Sequence, residues 1–525
     1  MRLRLRSLTP ARARNVASSS AGALARGWRA FARLARIALS QVALSLREVP
    51  RAAWVCALVA FLNAVSWSFI TPPFQAPDEP SHFAYVQQLV ETRGLPSGGA
   101  RFSQEEETVL RDLHHFQVRN HPENHPLTTQ AEQRHLEEDL AEPLHRCCEE
   151  EEGAGVAASQ PPLYYALEAI PYGLGSGGNV LDRLELMRLL SALMGGLTAL
   201  FSYLFVREAL PGVPWAWVVG GLGVALTAPL AAMSGVVNPD AMLFAASAAI
   251  FYLLARGFRR GLTTGLAVAI GAVTAVGLLT KLNFIGLVPG IIAGLVVLAV
   301  RAARTSRPAA LRALALAVGI GASPVLVYFV VNLFSNHARL GIASSGIHLT
   351  GERGSIFHEI SYIWQFYLPR LPGMAHDFPG LSMTRDVWFN RSVGLYGWSD
   401  TSFPLWVDNL ALIAAALLAL LGVRALIAVR ATLRRRLVEL LVFAVMAGGV
   451  MALVAADAYI NVSEAGSYLQ PRYLLPLLPL VGAALVLSAR GAGRRFGPVA
   501  GVLIVVLFFA HNLFSQLQVI SRFYG

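Results

Sequence analysis

Charge and cysteine are both scarce in this chain. Of its 525 residues only 14% are charged and 55% are hydrophobic, and the mean hydropathy of +0.52 excludes an ordinary soluble globular protein. The three cysteines are Cys56 in an apolar run and the adjacent Cys147 and Cys148 in a polar loop, so no disulfide framework is expected. Lysine occurs once, as Lys281, which is typical of a GC-rich bacterial genome. The composition predicts an all-α polytopic membrane protein.

The basic residues indicate membrane topology. The formal net charge is +11, but the arginines lie in short clusters between apolar runs, where they mark the cytoplasmic side of a membrane protein. We therefore expect a lipid bilayer, and no nucleic acid, as a partner. The tail 1–51 interleaves arginine with apolar residues, as in an amphipathic surface helix or a simple anchoring tail. No small-residue cleavage pattern follows the first long apolar run, so the tail is not expected to be a secretion signal.

Eleven apolar runs approach the roughly 20 residues that a membrane-spanning helix needs. They lie near 52–71, 187–206, 214–234, 240–255, 262–279, 283–300, 310–334, 405–423, 437–456, 471–489 and 496–517. With the tail in the cytoplasm, the arginine clusters all fall on the cytoplasmic side, as the positive-inside rule requires. We expect a multi-pass protein of the bacterial inner (plasma) membrane.

This topology divides the chain into six parts. They are a basic cytoplasmic tail (1–51), a first span (52–71), an external loop (72–186), spans 2 to 7 (187–334), an aromatic-rich external loop (335–404), and spans 8 to 11 with a short external loop at 457–470 (405–525). The chemistry is expected in the external loops.

The stretch TPPFQAPDEPSHFAYVQQLVETRGLP follows the first span directly. Its prolines predict an extended connector over 71–80, which holds the adjacent carboxylates Asp78 and Glu79 outside any helix at the membrane surface. Ser81 is a suitable cap, and Gly94 a suitable end, for a short helix lying on the bilayer. Either the two carboxylates cap that helix and complement its dipole, or they are functional, since carboxylates beside a bilayer often mark a functional pathway.

These residues carry a resemblance. APDEPSHFAYVQQLVETRGLP is similar to the first external loop of GT-C membrane glycosyltransferases, a class that includes protein O-mannosyltransferases and the lipid A aminoarabinose transferase. More closely, the chain resembles a bacterial family of predicted membrane proteins called domain of unknown function 2142. Further fragments that fit this family, in order, are SQPPLYYALEAIPYGLG, VVNPDAMLFAASAAIFYLLARG, LLTKLNFIGLVPG, VGLYGWSDTSFP and QPRYLLPLLPLVG. Together they cover most of 52–517.

The resemblance implies an enzyme that transfers a sugar from a polyprenyl-phosphate carrier to a glycan, lipid or protein acceptor on the external face. It places an acidic residue of the first loop as the base, which corresponds to Asp78, with Glu79 as its neighbour or alternative. Direct attack without a covalent intermediate would invert the anomeric configuration. A carboxylate pair could also hold a divalent cation such as Mg²⁺ or Mn²⁺, because hard cations prefer carboxylate oxygens.

The departing lipid phosphate would need cationic donors. Arg472 in the motif QPRY could grip phosphate oxygens in bidentate fashion, or it could be an interfacial anchor. Lys281, in a short turn between spans, could assist or could snorkel to the interface. We also expect the neighbouring polar residues His82 and Gln470 to contact the substrate.

Three other features have ordinary structural interpretations beside the functional ones. Asn238 and Asp240 open a helix, as a cap and a dipole partner, or they position substrate or metal. The aromatic residues of 335–404, including Trp398, could stack on a sugar or form an interfacial belt. The histidines and cysteines of the first loop match no zinc-binding spacing, so no metal site is predicted there. The histidines are His114, His115, His121, His125, His135 and His145.

Other functions fit the same composition. A lipid-linked polysaccharide polymerase or ligase would share the external chemistry. A transporter or flippase of lipid-linked glycans would normally place polar groups or broken helices near the midplane of the bilayer, whereas most charges here fall at the ends of the apolar runs. A noncatalytic scaffold in envelope assembly would tolerate substitution of every loop carboxylate.

Overall fold

The computed structural model describes residues 49–334, 356–460 and 469–525, apart from the single positions 97, 98, 100, 128, 150 and 379. Most of the predicted tail 1–51, residues 335–355 of the aromatic-rich loop and most of the loop 457–470 lie outside the described residues. Within the described part, the chain is almost entirely helical. The predicted all-α class is confirmed.

The α-helices, in chain order, are α1 (Arg51–Ile70), α2 (Glu79–Thr92), α3 (Gln104–Asp112), α4 (His115–Val118), α5 (Gln130–Ala141), α6 (Leu163–Leu174), α7 (Val180–Ala209), α8 (Pro214–Ala225), α9 (Ala228–Ser234), α10 (Asp240–Arg260), α11 (Thr264–Thr280), α12 (Val288–Ala303), α13 (Arg307–Phe334), α14 (Ile356–Tyr367), α15 (Leu381–Met383), α16 (Arg391–Val393), α17 (Leu405–Ala428), α18 (Arg430–Arg435), α19 (Leu437–Ile460), α20 (Leu478–Gly491) and α21 (Gly493–Tyr524).

Shorter elements connect some of these helices. The 3₁₀ segments are Gly155–Ser159, Leu282–Leu287 and Pro471–Leu477, and a π-helical turn covers Thr384–Asn390. Strands β1 (Leu395–Tyr396) and β2 (Thr401–Ser402) form a small antiparallel hairpin, with Leu395 opposite Ser402.

Nine helical segments in the described part of the chain are long and apolar enough to cross a membrane. They include α1, α7, α10, α17, α21 and four segments built around α12, α13, α19 and α20. The pair α8 and α9 would make a tenth, but it bends by 54° at its break. The remaining apolar run became α11, whose 17 residues span only about 25 Å. The count of eleven spans is therefore not confirmed, whereas the multi-pass architecture is.

The membrane helices pack around α7, which contacts α1, α8 and α10. α7 begins at Val180, earlier than the predicted start at 187, because Asn179 and Asp182 form a reciprocal capping box at its first turn. A second apolar core lies in the first loop, where Phe83 of α2 packs with Tyr172 of α6. This core joins the loop to the N-terminal turns of α7 and α10.

α19 approaches the 3₁₀ segment Leu282–Leu287 so closely that Gly449 and Gly286 face each other without room for a side chain. A Cβ on Gly449 in α19 would overlap the carbonyl oxygen of Gly286, whereas a Cβ on the adjacent Gly448 would meet nothing within 4 Å. We expect Gly449→Ala to destabilise the protein by about 1–3 kcal/mol through overpacking. Gly448→Ala should be neutral or slightly stabilising, because alanine favours helix by up to about 1 kcal/mol. Thermal unfolding of the two variants in detergent compares them, and equal midpoints would contradict this packing.

Candidate functional site

A buried ion pair fixes the connector that follows α1. Arg188 of α7 donates two hydrogen bonds to Glu79, from Nε to Oε1 at 2.8 Å and from Nη2 to Oε2 at 2.6 Å. The same guanidinium donates to the backbone carbonyls of Ser68, Thr71 and Pro72. One cationic side chain therefore holds the end of α1, the connector and the start of α2 together.

Glu79 has no hydrogen-bonding capacity left in this arrangement. Its side chain is 0% exposed, and its oxygens also accept hydrogen bonds from the backbone N–H groups of Phe74 and Val237 at 3.0 Å each. A buried carboxylate with four charged or backbone donors is a strongly held structural group. Through Val237, it also ties the connector to the turn before α10.

The connector and α2 differ in detail from the sequence prediction. Residues 71–78 form turns rather than one extended strand, with hydrogen bonds from Gln75 N–H to the Pro72 carbonyl and from Glu79 N–H to the Ala76 carbonyl. α2 begins at Glu79 and not after Ser81, and it ends at Thr92, before Gly94. The predicted placement of Glu79 outside any helix was wrong, because Pro80 suits the first turn of a helix. α2 is also largely buried, so it does not lie free on a bilayer surface.

Asp78 precedes α2 with a left-handed backbone, at φ 65°. Its side chain makes no capping bond to that helix. Instead Oδ2 accepts a hydrogen bond from Arg472 Nη2 at 3.2 Å, and the side chain remains 37% exposed. Burial alone would raise the pKa of Asp78, but the positive charges of Arg472 and Lys281 hold it below its ordinary value. Asp78 is thus an ionised, accessible carboxylate.

His82 lies one turn into α2, behind Asp78. Its Nδ1 is 2.9 Å from the hydroxyl oxygen of Tyr165 on α6, and Tyr165 stacks on Tyr85. Burial lowers the pKa of His82 to about 3, so the imidazole is neutral at physiological pH. The His82 ring is therefore a neutral, hydrogen-bonded neighbour of Asp78 and adds no charge to the site.

The ion pair between Lys281 and Asp240 lies near the pair formed by Asp78 and Arg472. Lys281, at the end of α11, donates from Nζ to Asp240 Oδ1 at 2.7 Å. The Asn238 side chain accepts from the Asp240 N–H at 2.9 Å and donates to the Pro77 carbonyl at 3.4 Å. Asn238 therefore bonds the first N–H of α10, although Pro239 and not Asn238 occupies the cap position, and it also links that helix to the residue before Asp78.

Arg472 connects these groups to a cleft. Within the described part of the chain, its Nε and Nη1 atoms are buried without a hydrogen-bond partner, and so is the other carboxylate oxygen of Asp240. This guanidinium lines a cleft. Buried donors that lack a partner are costly unless a ligand or water satisfies them.

The cleft is lined by both apolar and polar side chains. Trp67 of α1, Met233 of α9 and Phe523 of α21 are among the apolar ones, and Arg472 and Gln75 are among the polar ones. Gln75 is fully buried, and neither of its side-chain polar atoms has a partner among the described residues. The arrangement suits an amphiphile with an anionic or hydrogen-bonding head.

The sequence comparison now decides the family. Residues 61–481 match the family DUF2142, described as a predicted membrane protein. The chain belongs to this family. The family resemblance inferred from the sequence is therefore confirmed, and with the helical spans above it establishes a multi-pass membrane protein. A comparison with curated proteins finds no match.

Two solved structures resemble this DUF2142 protein at low identity. The apo oligosaccharyltransferase of Archaeoglobus fulgidus has a TM-score of 0.40 at 11% identity, covering 90% of this chain and 56% of that chain. ArnT from Cupriavidus metallidurans, bound to undecaprenyl phosphate, has a TM-score of 0.34 at 16% identity, covering 84% of this chain and 78% of that one. The DUF2142 chain thus spans little more than half the length of the oligosaccharyltransferase.

The predicted site residues divide into two groups. Direct contacts link Asp78 to Arg472 and Asp240 to Lys281, and the charges of both pairs act on His82. Gln470 lines the cleft next to Arg472. Trp398 does not join them, because it packs against His115 and lies 3.8 Å from the guanidinium of Arg119 in the first loop.

Most other aromatic residues of the second loop are core residues. Phe366, Tyr367 and Trp388 pack on α19 in one apolar cluster. Tyr473, beside Arg472, is at the edge of that cluster. The second loop therefore supports the segment that carries Arg472.

The geometry gives little support to a metal site, either in the first loop or at Asp78 and Glu79. In the described part of the chain, one group could present three ligand atoms to a metal ion, formed by Asp112, His135 and Asp139. Arg111 already donates to both carboxylates, at 2.9 Å and 2.7 Å. For the Mg²⁺ or Mn²⁺ considered at Asp78 and Glu79, no third acidic or histidine ligand is in reach among the described residues. The adjacent Cys147 and Cys148 are joined to each other and link no distant parts of the chain.

Sequence reasoning missed Arg188 and Gln75. Arg188 lies in the pattern LELMRLLSAL, where one arginine interrupts an apolar run. Such an interruption is the available signal, since a cation inside an apolar helix needs a buried partner. Gln75 had no comparable signal, because a single glutamine among prolines is usual in a surface loop.

Proposed function

We propose that this protein is an inverting membrane glycosyltransferase of the GT-C kind, which moves a sugar from a polyprenyl-phosphate carrier to an envelope acceptor on the external face. One observation carries the proposal. The accessible carboxylate Asp78 is paired with Arg472, whose Nε and Nη1 donors have no partner among the described residues and which lines a cleft together with several apolar side chains. A base and a phosphate-binding group thus meet where a lipid chain can lie.

The reaction assigns Asp78 and Arg472 complementary roles. An acceptor hydroxyl attacks the anomeric carbon while Asp78 takes the hydroxyl proton, a contribution of about 10²- to 10⁴-fold in rate. The bond between the anomeric carbon and the phosphate oxygen breaks on the opposite face, and its electron pair leaves with polyprenyl phosphate. Arg472 stabilises the phosphate through charge-assisted hydrogen bonds. The configuration at the anomeric carbon inverts.

Donor binding would prepare the base. Arg472 Nη2 donates to Asp78, and a phosphate group arriving at the guanidinium would compete for that donor. As Asp78 loses its share of the positive charge, its pKa rises toward the ordinary value and the carboxylate becomes a stronger base. Chemistry is thereby coupled to the presence of the donor.

The other site residues hold and complete this arrangement. Glu79 positions the connector through Arg188 and is not the base, because all of its hydrogen-bonding capacity is used inside the protein. Lys281 orients Asp240. The Asp240 oxygen without a partner among the described residues is suited to accept a hydrogen bond from a sugar hydroxyl.

Binding of polyprenyl phosphate tests the proposal directly. We would measure the affinity of purified protein for a short-chain polyprenyl phosphate, with Arg472→Gln as the test variant and Arg134→Gln as the control. Arg134 is an exposed arginine on α5 that bonds only to a local carbonyl among the described residues. We expect Arg472→Gln to weaken binding by about tenfold or more, in line with a hydrogen bond to a charged group, and Arg134→Gln to have no effect. Equal affinity in all three proteins would contradict the phosphate site.

The pH dependence of turnover follows from the charges around Asp78. Asp78 must be ionised to accept a proton, and its pKa lies below the ordinary aspartate value of about 3.9. Wild-type turnover should therefore show no loss from Asp78 protonation above about pH 5. In Arg472→Gln the lost cation raises the pKa of Asp78, so the acid limb of the residual activity moves to higher pH, whereas Arg472→Lys keeps the limb low. An unchanged limb in Arg472→Gln would show that another group titrates.

A further inference from the structure

A second groove lies at the opposite end of the helix bundle. α10 runs from Asp240 beside the candidate site to Arg259, which lines this groove. Twenty residues of helix span about 30 Å, roughly the hydrocarbon thickness of a bilayer. The groove therefore lies near the other membrane surface from Asp78, and it has no role in the chemistry proposed above.

The lining of this groove changes from apolar to cationic along its length. α20 contributes Leu480, Ala483, Leu487 and then Arg490, a helical stretch of about 15 Å. Phe205 and Phe443 add aromatic surface to the lining. A guest with an apolar chain and a charged head fits this gradient better than a uniformly polar or apolar guest.

The cationic end of this groove, where Arg490 lies, is called its mouth. More arginines than carboxylates lie there. Glu208 accepts hydrogen bonds from both Arg259 and Arg260, at 3.0 Å and 2.7 Å. Arg490 also lines the groove, and within the described part of the chain it forms no ion pair.

The second carboxylate at the mouth, that of Glu439, is also paired with arginine. Glu439 pairs with Arg301 at 3.0 Å and lies 3.9 Å from Arg436. The cationic side chains thus outnumber the carboxylates, and an anionic group would balance this surplus. Water at a membrane surface could solvate the surplus charge, but water would leave the apolar part of the groove unfilled.

We propose that this groove binds one anionic glycerophospholipid. Its phosphate contacts Arg490 and Arg436, and one acyl chain lies along α20 toward Leu480. Basic pockets between transmembrane helices are suited to such headgroups, since each arginine near an anionic headgroup contributes about 1 kcal/mol, or about fivefold in affinity. The inference is independent of the proposed transferase activity.

The test compares lipid retention by matched variants. Protein purified in detergent is titrated with phosphatidylglycerol or with phosphatidylcholine of the same acyl chains, and bound lipid is counted by native mass spectrometry. Arg490→Ala removes the cation that forms no ion pair among the described residues. Arg494→Ala removes the same charge from an exposed position outside the groove. A third variant, Ala483→Trp, fills the apolar part of the groove.

We expect one phosphatidylglycerol to bind wild-type protein and Arg494→Ala equally. Binding should weaken about fivefold in Arg490→Ala and more strongly in Ala483→Trp, and phosphatidylcholine should bind weakly to all four proteins. Inorganic phosphate at the same concentration should not displace the lipid, because it lacks the chain. Equal retention of the two lipids, equal behaviour of Arg490→Ala and Arg494→Ala, or displacement by phosphate alone would each overturn the proposal.

Discussion

Asp78→Asn is expected to abolish turnover of the lipid-linked donor while leaving the protein folded. Asparagine is nearly the same size but cannot accept a proton at neutral pH, so the rate should fall by at least about 100-fold. The side chain is partly exposed and makes one hydrogen bond to Arg472, so thermal unfolding should change little. The rate is measured as release of polyprenyl phosphate in membranes with matched expression.

The same substitution separates catalysis from binding. Without the Asp78 charge, Arg472 is freer to meet a phosphate, so the affinity for polyprenyl phosphate should be unchanged or higher in Asp78→Asn. Glu107→Gln is the matched control, because Glu107 is a carboxylate of the same loop with a similar exposed fraction, paired only with Arg101 among the described residues. A variant that loses binding and turnover together would assign Asp78 a structural role instead.

Removal of Arg188 should have the largest effect on stability. Arg188→Met leaves Glu79 buried and charged without its cation, and it removes the donors that hold three carbonyls at the end of α1. Breaking a buried pair in this way costs about 3–5 kcal/mol. The midpoint of thermal unfolding in detergent should fall accordingly. Turnover should fall as well, because Asp78 loses the connector that fixes its position.

A double-mutant cycle identifies the cause. Glu79→Gln combined with Arg188→Met removes the unpaired charge, so the double variant should be more stable than Arg188→Met alone. The exposed pair Arg101 and Glu107 provides the control, since such surface pairs contribute about 1 kcal/mol or less. If the double variant were no more stable than Arg188→Met, the ion pair would not be the source of the stability.

The sequence predicted the fold well wherever a single physical signal dominated. Apolar runs of sufficient length became helices, and the two runs that did not form a full-length straight span have local causes. The run 214–234 is broken where α9 starts with Pro229 in its first turn, so two helices replace one. The run 262–279 became α11, which ends at Thr280 after 17 residues because the backbone of Lys281 is extended.

The sequence predicted the residues of the candidate site but not their contacts, because those contacts join distant parts of the chain. Asp78, Lys281 and Arg472 were each recognisable as charged residues at the end of an apolar run. Their pairing could not be read from the sequence, since Arg472 is 394 positions from Asp78. Asp78 and Glu79 are adjacent and chemically alike, yet only the structure gives Glu79 a buried cation and leaves Asp78 accessible.

The central claim is that this DUF2142 protein uses a polyprenyl-phosphate-linked sugar at the site of Asp78 and Arg472. The most direct measurement incubates wild-type protein in liposomes with a panel of labelled polyprenyl-monophosphate sugars and bacterial envelope acceptor, and follows the release of polyprenyl phosphate. The account predicts that one donor is consumed, with inversion at the anomeric carbon of the product. Intact donors throughout, in a preparation that still binds polyprenyl phosphate, would contradict the transferase and favour transport of the lipid-linked glycan.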